Sequence, residues 1–229
     1  MHAPWNLAPG RQQALTLETM GDAAQTTRFL LFLPPSYGQE AQKKWPLMVF
    51  LHGSGERGDD INQVKKHGPP KRLETQADLP FIVASPQAAA NTDWNSAAVN
   101  ALIDELVQRL AVDVNRIYLT GLSRGGHGTW AIAADRPERF AAIAPVCGSA
   151  DPAIACSLKA VPVWAFHGEN DTVVSLASDA RMVEAVRACG GDVKFTVYPG
   201  VGHDSWTATY ANPALYEWLM QHSLSSRAR

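Results

Sequence analysis

A glycine-flanked serine between a predicted strand and a predicted helix constrains this chain more than any other feature. The apolar run 117–119 predicts a buried strand, residues 129–134 predict a helix, and between them residues 121–125 read Gly-Leu-Ser-Arg-Gly. Flanking glycines permit a sharp turn that exposes the serine hydroxyl above a helix N-terminus. The pattern therefore predicts a nucleophile elbow with Ser123 at its apex, rather than a glycine-rich turn around an inert serine.

Length and composition are those of a globular protein. A chain of 229 residues suits an α/β fold with a large apolar core, so residues 1–229 are predicted to form a single domain. Hydrophobic residues make up 46% of the chain and its formal net charge is −2, so no basic field attracts nucleic acid or anionic membranes. We expect a small-molecule partner, no nucleic acid and no membrane insertion, whereas the sequence makes no prediction of oligomeric state.

The N-terminal segment bears on where the protein works. Residues 1–11 lack the charged-then-apolar order of a signal peptide, and no apolar run has the length of a membrane span. The sequence therefore predicts a cytoplasmic protein, with export as the alternative if a signal peptide has been removed.

The cysteine count argues against a disulfide framework. Cys147, Cys156 and Cys189 are few and odd in number, and no cluster of cysteine or histidine has metal-ligand spacing. They are predicted to behave as small apolar residues, and neither a metal nor a cofactor is expected. A Cys147–Cys156 bridge is the alternative in an exported protein.

Apolar runs alternate with helical patterns along most of the chain. Segments 14–20 and 26–33 predict an antiparallel hairpin joined by 21–25. Further strands are predicted at 47–51, 81–84, 117–119, 141–146, 161–166 and 193–198, and helices at 95–110, 129–134, 178–188 and 214–220. This alternation predicts an α/β fold with a mostly parallel sheet and helices on both faces. The short link between 146 and 161 leaves no room for a large lid domain.

The candidate catalytic residues follow three of the predicted strands. In an open parallel sheet, functional side chains lie beyond the carboxyl ends of the strands. Asp171 follows the strand at 161–166, and His203 follows the strand at 193–198. A serine hydroxyl needs a base, and the base needs a carboxylate that orients it. The sequence therefore predicts Ser123 as nucleophile, His203 as base and Asp171 as acid.

Other histidines and acids compete for these roles. His52 and His167 each precede a glycine at a strand end and are predicted to brace the loops of the site. His127 lies one turn into the elbow helix, which would carry it away from the serine hydroxyl. Glu169 and Asp151 also follow predicted strands, so both stay open as alternatives for the acid.

Two loops can supply backbone donors to a developing oxyanion. Ser54 follows the strand at 47–51 in a glycine-rich loop, and Arg124 directly follows the candidate nucleophile, so their N–H groups form the predicted oxyanion hole. Four side chains on loops at the same edge are predicted to bind substrate, with ordinary packing as the alternative for each: Trp94, Trp206, Glu56 and Arg57.

Four segments together resemble the α/β-hydrolase superfamily. They are His-Gly-Ser-Gly-Glu-Arg-Gly at 52–58, Gly-Leu-Ser-Arg-Gly-Gly at 121–126, His-Gly-Glu-Asn-Asp at 167–171 and Gly-His-Asp-Ser-Trp at 202–206. Within it the chain is similar to compact esterases of the phospholipase/carboxylesterase and polyhydroxybutyrate-depolymerase or feruloyl-esterase type. The resemblance covers nearly the whole chain. It implies that Ser123, His203 and Asp171 are the catalytic residues and that Ser54 and Arg124 form the oxyanion hole. Relatives often carry glutamine or methionine in place of Arg124, and dienelactone hydrolases, similar in fold, would carry cysteine in place of Ser123.

The sequence thus predicts a serine carboxylesterase that hydrolyses short-chain or aryl esters through an acyl-enzyme, without a cofactor. The alternatives are a carbohydrate esterase of the feruloyl or acetyl xylan type, a peptidase or amidase of the same fold, and a non-catalytic binding module. Without a lid, an open pocket should receive short or aromatic acyl groups better than long ones, because buried methylenes gain only where an apolar wall receives them.

Overall fold

A computed structural model describes residues 5–19 and 25–227. Eight strands of these residues form one sheet: β1 (Gln12–Thr19), β2 (Gln25–Phe32), β3 (Trp45–Leu51), β4 (Ile82–Gln87), β5 (Val112–Leu122), β6 (Ala142–Val146), β7 (Val163–Gly168) and β8 (Val193–Tyr198). Their order is β1-β2-β4-β3-β5-β6-β7-β8. β2 pairs antiparallel with both β1 and β4, and every other neighbouring pair is parallel. The predicted mostly parallel sheet is confirmed, although most of the predicted 21–25 connection lies outside the described residues.

The central strands are buried along their whole length and are mostly apolar, because helices cover both faces of the sheet. Every residue of β3, β4, β6 and β7 is buried. Continuous apolar runs, rather than alternating ones, are typical of such strands. This pattern is the reason that the sequence located the centre of the sheet correctly.

Seven helices of the described residues flank the sheet: α1 (Gly68–Leu73), α2 (Ser96–Arg109), α3 (Arg124–Asp135), α4 (Leu176–Ala188), α5 (Trp206–Ala211), α6 (Pro213–Met220) and α7 (Leu224–Arg227). One apolar cluster lies under α2, α3 and α4 and includes Leu102, Trp130 and Met182. The cluster on the other face lies under α1, α5 and α6 and includes Leu73 and Leu219. Helices therefore cover both faces, as predicted.

The link between β6 and β7 contains only a 3₁₀ helix, Pro152–Leu158, in the described part of the chain. This segment packs against α4 and α3. The prediction that no large lid domain is inserted there is confirmed.

The cysteine prediction is wrong for two of the three residues. Cys156, in the 3₁₀ helix Pro152–Leu158, is bonded to Cys189, which directly follows α4. Packing of the 3₁₀ helix on α4 brings the two together across a sequence separation of 33. The alternative bridge from Cys147 is also wrong, because Cys147 is a buried free thiol at the end of β6.

Candidate active site

The turn between β5 and α3 exposes the hydroxyl of Ser123 at the carboxyl edge of the sheet. Ser123 adopts a left-handed conformation (φ 52°, ψ −114°), which costs a residue with a Cβ about 1–3 kcal/mol. A Cβ at Gly121 would collide with the carbonyl of Gly125, and a Cβ at Gly125 would collide with the carbonyl of Leu51. The two glycines are therefore required by close backbone contact, which is the physical basis of the pattern in the sequence.

Three predicted residues form a continuous hydrogen-bonded chain. His203 Nε2 lies 2.9 Å from Ser123 Oγ, and His203 Nδ1 lies 2.7 Å from Asp171 Oδ2. Because the carboxylate accepts the Nδ1 proton, Nε2 is left with a lone pair toward the serine hydroxyl. The Asp171 side chain is fully buried, whereas 20% of the His203 side chain is exposed.

Backbone amides hold Asp171 in place. Its Oδ1 accepts hydrogen bonds from the N–H groups of Val173 and Val174 at 2.8 and 2.9 Å. Burial acts to raise the pKa of Asp171, but the hydrogen bonds from His203, Val174 and Val173 outweigh it and keep the pKa below its ordinary value. Asp171 is therefore an ionised acceptor for His203 at neutral pH.

The other candidate acids are held elsewhere. Glu169 Oε2 accepts the N–H of Gly200 at 2.8 Å, and Asp151 accepts the N–H of Ala153 at 2.9 Å. The structure thus brings Asp171, and neither of its alternatives, to the imidazole of His203.

A second buried pair lies behind Asp171. His167 Nδ1 is 2.8 Å from Asp179 Oδ2, and His167 Nε2 is 2.9 Å from the carbonyl of Val174 and 3.3 Å from Asp171 Oδ2. Burial alone would lower the pKa of His167, but the hydrogen bonds to Asp179 and Val174 outweigh it, so the pKa is raised. Burial also raises the pKa of Asp179. Because both pKa values are raised, a proton is retained between His167 and Asp179. His167 thus braces the loop of Asp171, in agreement with its predicted packing role.

The two predicted oxyanion donors lie next to one another. Arg124 begins α3 and Ser54 begins the 3₁₀ helix Ser54–Glu56, so neither backbone N–H has a carbonyl partner within its own helix. Arg124 Nε donates to Ser54 Oγ at 3.0 Å, which joins the two elements directly. Backbone N–H groups at helix starts are suited to a developing negative charge.

Buried polar contacts fix the loop that carries Ser54. His52 Nε2 accepts the N–H of Ala88 at 3.0 Å, and its Nδ1 lies 2.6 Å from the carbonyl of Gly53. Burial lowers the pKa of His52 to about 4, so its ring is neutral. Glu56 Oε2 accepts the N–H of Gly53 at 2.9 Å, and Trp94 Nε1 donates to the carbonyl of His52 at 3.2 Å. Glu56 is buried (5% exposed) and supports this loop, so it does not lie on the pocket rim as expected.

An open pocket of about 540 Å³ surrounds the Ser123 hydroxyl. Its apolar lining includes Trp94, Ala131, Val173 and Val174, and its polar lining includes Ser54, Arg124, His127 and Asp93. The Arg124 guanidinium forms an ion pair with Asp93, whose side chain is 79% exposed. Trp94 therefore lies where the sequence predicted, and His127, expected to point away, contributes to the wall.

Arg57 and Trp206 are near the site without lining this pocket. Arg57 Nε donates to the Ser54 carbonyl at 3.0 Å, so its contact is with the outer side of the loop. The Trp206 ring meets the His203 ring edge-on at 5.2 Å, and its Nε1 lies 3.3 Å from Nδ1 of His67. Trp206 is placed to support His203, and a substrate role for either residue stays a prediction.

Cys147 is the residue near the triad that sequence reasoning missed. Within the described ranges, its Sγ together with ligand atoms of Asp171 and His203 forms a group within 4.8 Å that could hold a metal ion. Burial raises the pKa of the Cys147 thiol to about 12, so the thiol is protonated at neutral pH and is a weak ligand. Its position directly after the predicted strand at 141–146 was the available signal, and the prediction of a metal-free site stays a prediction.

The chain is similar to known ester hydrolases in both sequence and fold. The profile of the dienelactone hydrolase family matches residues 57–216, which is more than half of the chain. A bifunctional acetylxylan esterase/xylanase of Neocallimastix patriciarum is 29% identical over 57% of this chain and 20% of its own length. The probable feruloyl esterase C of Aspergillus terreus is 24% identical over 67% of this chain and 58% of its own length. A crystal structure of a thermostable esterase superposes with a TM-score of 0.81 at 32% identity, covering 93% of this chain and 63% of that one.

The chain belongs to the dienelactone hydrolase family, and the predicted α/β-hydrolase fold is confirmed. This chain has a serine at position 123, whereas cysteine is the residue expected there in dienelactone hydrolases. The alignments span between a fifth and about three fifths of the lengths of the relatives named above. Among residues 5–19 and 25–227, no helix has both the length and the apolar character that a bilayer crossing requires.

Proposed function

We propose that this protein is a serine carboxylesterase that hydrolyses short-chain or aryl carboxylic esters through an acyl-enzyme. The hydrogen-bonded chain from Ser123 through His203 to Asp171 carries the proposal, because it activates a serine hydroxyl at the mouth of a pocket. The esterase names of relatives in the family support an ester substrate. The filled catalytic positions argue against the alternative of a non-catalytic binding module.

The proposed reaction has two halves. Ser123 Oγ attacks the ester carbonyl while His203 Nε2 takes the hydroxyl proton, and the N–H groups of Ser54 and Arg124 stabilise the resulting oxyanion. His203 then gives its proton to the leaving alcohol as the C–O bond breaks. Water, deprotonated by His203, attacks the acyl-enzyme and releases the acid, after which Ser123 regains its proton. Asp171 holds the imidazole in the required tautomer throughout.

The pocket supports short or aromatic acyl groups. Its apolar wall is formed by Trp94, Ala131, Val173 and Val174 and is shared with polar side chains, so a long acyl chain finds little apolar surface. Each buried methylene contributes about 0.8 kcal/mol only where it leaves water. Acetyl, butyryl or cinnamoyl-type groups are therefore the proposed substrates.

A panel of acyl-matched compounds tests the proposed activity. We expect kcat/KM for p-nitrophenyl esters to be highest between acetyl and butyryl, methyl ferulate to be hydrolysed, and the corresponding amides to react at least 100-fold more slowly. Activity should survive EDTA, since no metal takes part in the steps above. A preference that rises steadily to palmitate contradicts the acyl specificity, and faster cleavage of amides contradicts the esterase proposal in favour of a peptidase.

We also propose that the protein works in an oxidising compartment rather than in the cytoplasm that the sequence predicts. The Cys156–Cys189 bond supports this, because structural disulfides persist in oxidising compartments and are rare in the cytosol. Alkylation under denaturing conditions, before reduction, of protein isolated from its source should modify Cys147 and leave the other two cysteines unmodified. Modification of all three would favour the cytoplasm.

A further inference from the structure

His167 and Asp179 form a buried, hydrogen-bonded pair directly behind the acid of the triad. Both side chains are fully buried, and His167 Nδ1 lies 2.8 Å from Asp179 Oδ2. His167 belongs to β7 and Asp179 to the first turn of α4, so the pair joins the strand before the Asp171 loop to the helix after it. Neither side chain is among the described residues that line the pocket of Ser123. The pair therefore acts on the site from behind and not by touching the substrate.

The contacts of the His167 ring fix where its protons lie. Nε2 lies 2.9 Å from the carbonyl oxygen of Val174 and 3.3 Å from Oδ2 of the ionised Asp171. Both oxygens can only accept a hydrogen bond, so Nε2 must carry a proton. A second proton lies between Nδ1 and Asp179 Oδ2, because two lone pairs would otherwise face each other at 2.8 Å. The ring therefore donates through Nε2, whichever member of the pair holds the second proton.

The loop between β7 and α4 is anchored in two halves. In the first half, the N–H of Asn170 donates to a carbonyl in the loop after β8 at 2.8 Å. In the second half, Val173 is 70% exposed, and the carbonyl of Val174 is held by His167 Nε2. The N–H groups of Val173 and Val174 are the donors to Asp171 Oδ1. The contact from His167 thus holds the backbone that orients the carboxylate of the triad.

His167 also lies beside the carboxylate oxygen that His203 uses. Asp171 Oδ2 is 2.7 Å from His203 Nδ1 and 3.3 Å from His167 Nε2, so this one oxygen has a ring N–H on each side. A carboxylate oxygen has two lone pairs and can face both. Rotation of the carboxylate away from His203 would therefore give up its contact with His167 as well. A misplacement of about 1 Å in such a chain can lower a rate by roughly 10²-fold.

We propose that His167 is a positioning residue for the reaction at Ser123, and that its Nε2–H group, held by Asp179, keeps Asp171 within hydrogen-bond distance of His203. The assignment rests on the proposed esterase activity and extends the machinery of that same site. Because the pair contacts the acid of the triad and not the pocket, its loss should lower kcat and leave KM nearly unchanged.

Two amide substitutions at His167 separate this tether from simple packing. The side-chain amide of glutamine extends about as far as the Nε2 of histidine, so His167→Gln can still donate to the Val174 carbonyl. The amide of asparagine is one methylene shorter and extends only as far as Nδ1, so His167→Asn lacks that donor. Met182→Ala is the control for lost packing, because Met182 is fully buried on α4, one turn after Asp179.

Steady-state kinetics on p-nitrophenyl acetate, with kcat divided by the fraction of folded protein from urea unfolding, compares the three variants. We expect kcat to fall by roughly 10²-fold in His167→Asn and by less than about fivefold in His167→Gln and Met182→Ala, with KM within about threefold throughout. Equal losses of kcat in the two His167 variants, or a loss in Met182→Ala as large as that in His167→Asn, would overturn the proposal.

NMR of protein isotopically labelled in its histidine rings tests the tether without a substrate. In the unmodified protein we expect a proton on Nε2 of His167 and one on Nδ1 of His203. The His203 Nδ1–H signal should persist in His167→Gln and be lost or exchange-broadened in His167→Asn. A bare Nε2 on His167 would overturn the proposal even if neither substituted protein folded. If the unmodified protein hydrolysed no ester, the proposed function would fail, and these signals would still decide whether His167 holds Asp171 to His203.

Discussion

Arg124 Nε donates a hydrogen bond to Ser54 Oγ at 3.0 Å, so the side chains of the two proposed oxyanion residues join the nucleophile helix to the facing loop. The Arg124 side chain is 35% exposed and its ion-pair partner Asp93 is 79% exposed. Exposed charge pairs contribute only about 0–1 kcal/mol. We therefore expect the main contribution of both residues to come from their backbone N–H groups, and the side-chain link to be secondary.

Two substitutions at Ser54 separate these contributions. Ser54→Pro removes the backbone N–H of residue 54. Proline is compatible with the backbone there, because residue 54 is the first residue of a 3₁₀ helix and Gly53 before it is extended (ψ −169°). Loss of one oxyanion donor should lower kcat by roughly 10²–10³-fold with little change in KM. Ser54→Ala keeps the N–H and should lower kcat less than about tenfold. Equal kcat values for the two variants would show that the Ser54 N–H is not a donor to the oxyanion.

The acid of the triad is tested by a pair of substitutions on one loop. Asp171→Asn removes the carboxylate that holds the His203 tautomer and should lower kcat by about 10³–10⁴-fold. Glu169→Gln is the matched control, because Glu169 contacts Gly200 rather than His203, and its kcat should stay within about threefold. Steady-state kinetics on p-nitrophenyl acetate measures both. A large loss of kcat in Glu169→Gln with little loss in Asp171→Asn would show that Glu169, not Asp171, is the acid of the triad.

The contribution of His52 to stability should fall on mild acidification. The pKa of His52 is about 4 in the folded protein, below the ordinary value of 6.5, so the unfolded chain binds the extra proton first. The contribution of neutral His52 to the free energy of unfolding is therefore complete above pH 6.5 and is lost progressively as the pH falls toward 4. The full loss is about 3 kcal/mol, from a shift of this size at 1.36 kcal/mol per pKa unit.

Urea unfolding between pH 7 and pH 4.5 measures this loss, with His52→Gln as the comparison. Glutamine offers an acceptor for the Ala88 N–H and does not titrate, so the free energy of unfolding of the variant should vary less with pH. Equal pH dependence in the two proteins would show that His52 is not a source of the acid sensitivity.

Removal of the disulfide should lower thermal stability. The bond closes a loop of 33 residues, so its removal should lower the free energy of unfolding by about 3–4 kcal/mol if the effect is the entropy of the unfolded chain. For a chain of this length, that corresponds to a decrease in Tm of roughly 10 °C. Calorimetry of Cys156→Ser, with Cys147→Ser as the single-thiol control, measures the change. If thiol titration of the denatured, unreduced protein gives three thiols instead of one, the bond is absent.

The strands that position the site were predicted correctly from the sequence. Apolar runs placed β3, β5, β6 and β7, an alternating pattern placed β8, and the rule that sites form beyond strand ends selected Asp171 and His203. The structure brings these two side chains to Ser123 because parallel strands end at one edge of the sheet. Local sequence patterns were sufficient here, since each residue lies in the loop that follows the end of its strand.

The features that the sequence did not predict depend on tertiary packing. The Cys156–Cys189 bond arises where a 3₁₀ helix packs on α4, and neither segment carries a pattern that pairs it with the other. Glu56 is charged and follows two glycines, which suggests exposure, yet it turns inward to accept the N–H of Gly53. The His167–Asp179 pair likewise joins β7 to α4, and only the fold shows that both side chains are buried.

Covalent labelling by a fluorophosphonate, followed by peptide mass spectrometry and matched to ester turnover, tests the central claim most directly. We expect one adduct, on Ser123, with turnover lost in proportion to labelling. Ser123→Ala should take no label and lose about 10⁴–10⁶-fold in kcat, while the exposed control Ser225→Ala should behave like the unmodified protein. Ester turnover that survives in Ser123→Ala, or an adduct on another residue that abolishes turnover, would contradict the central claim.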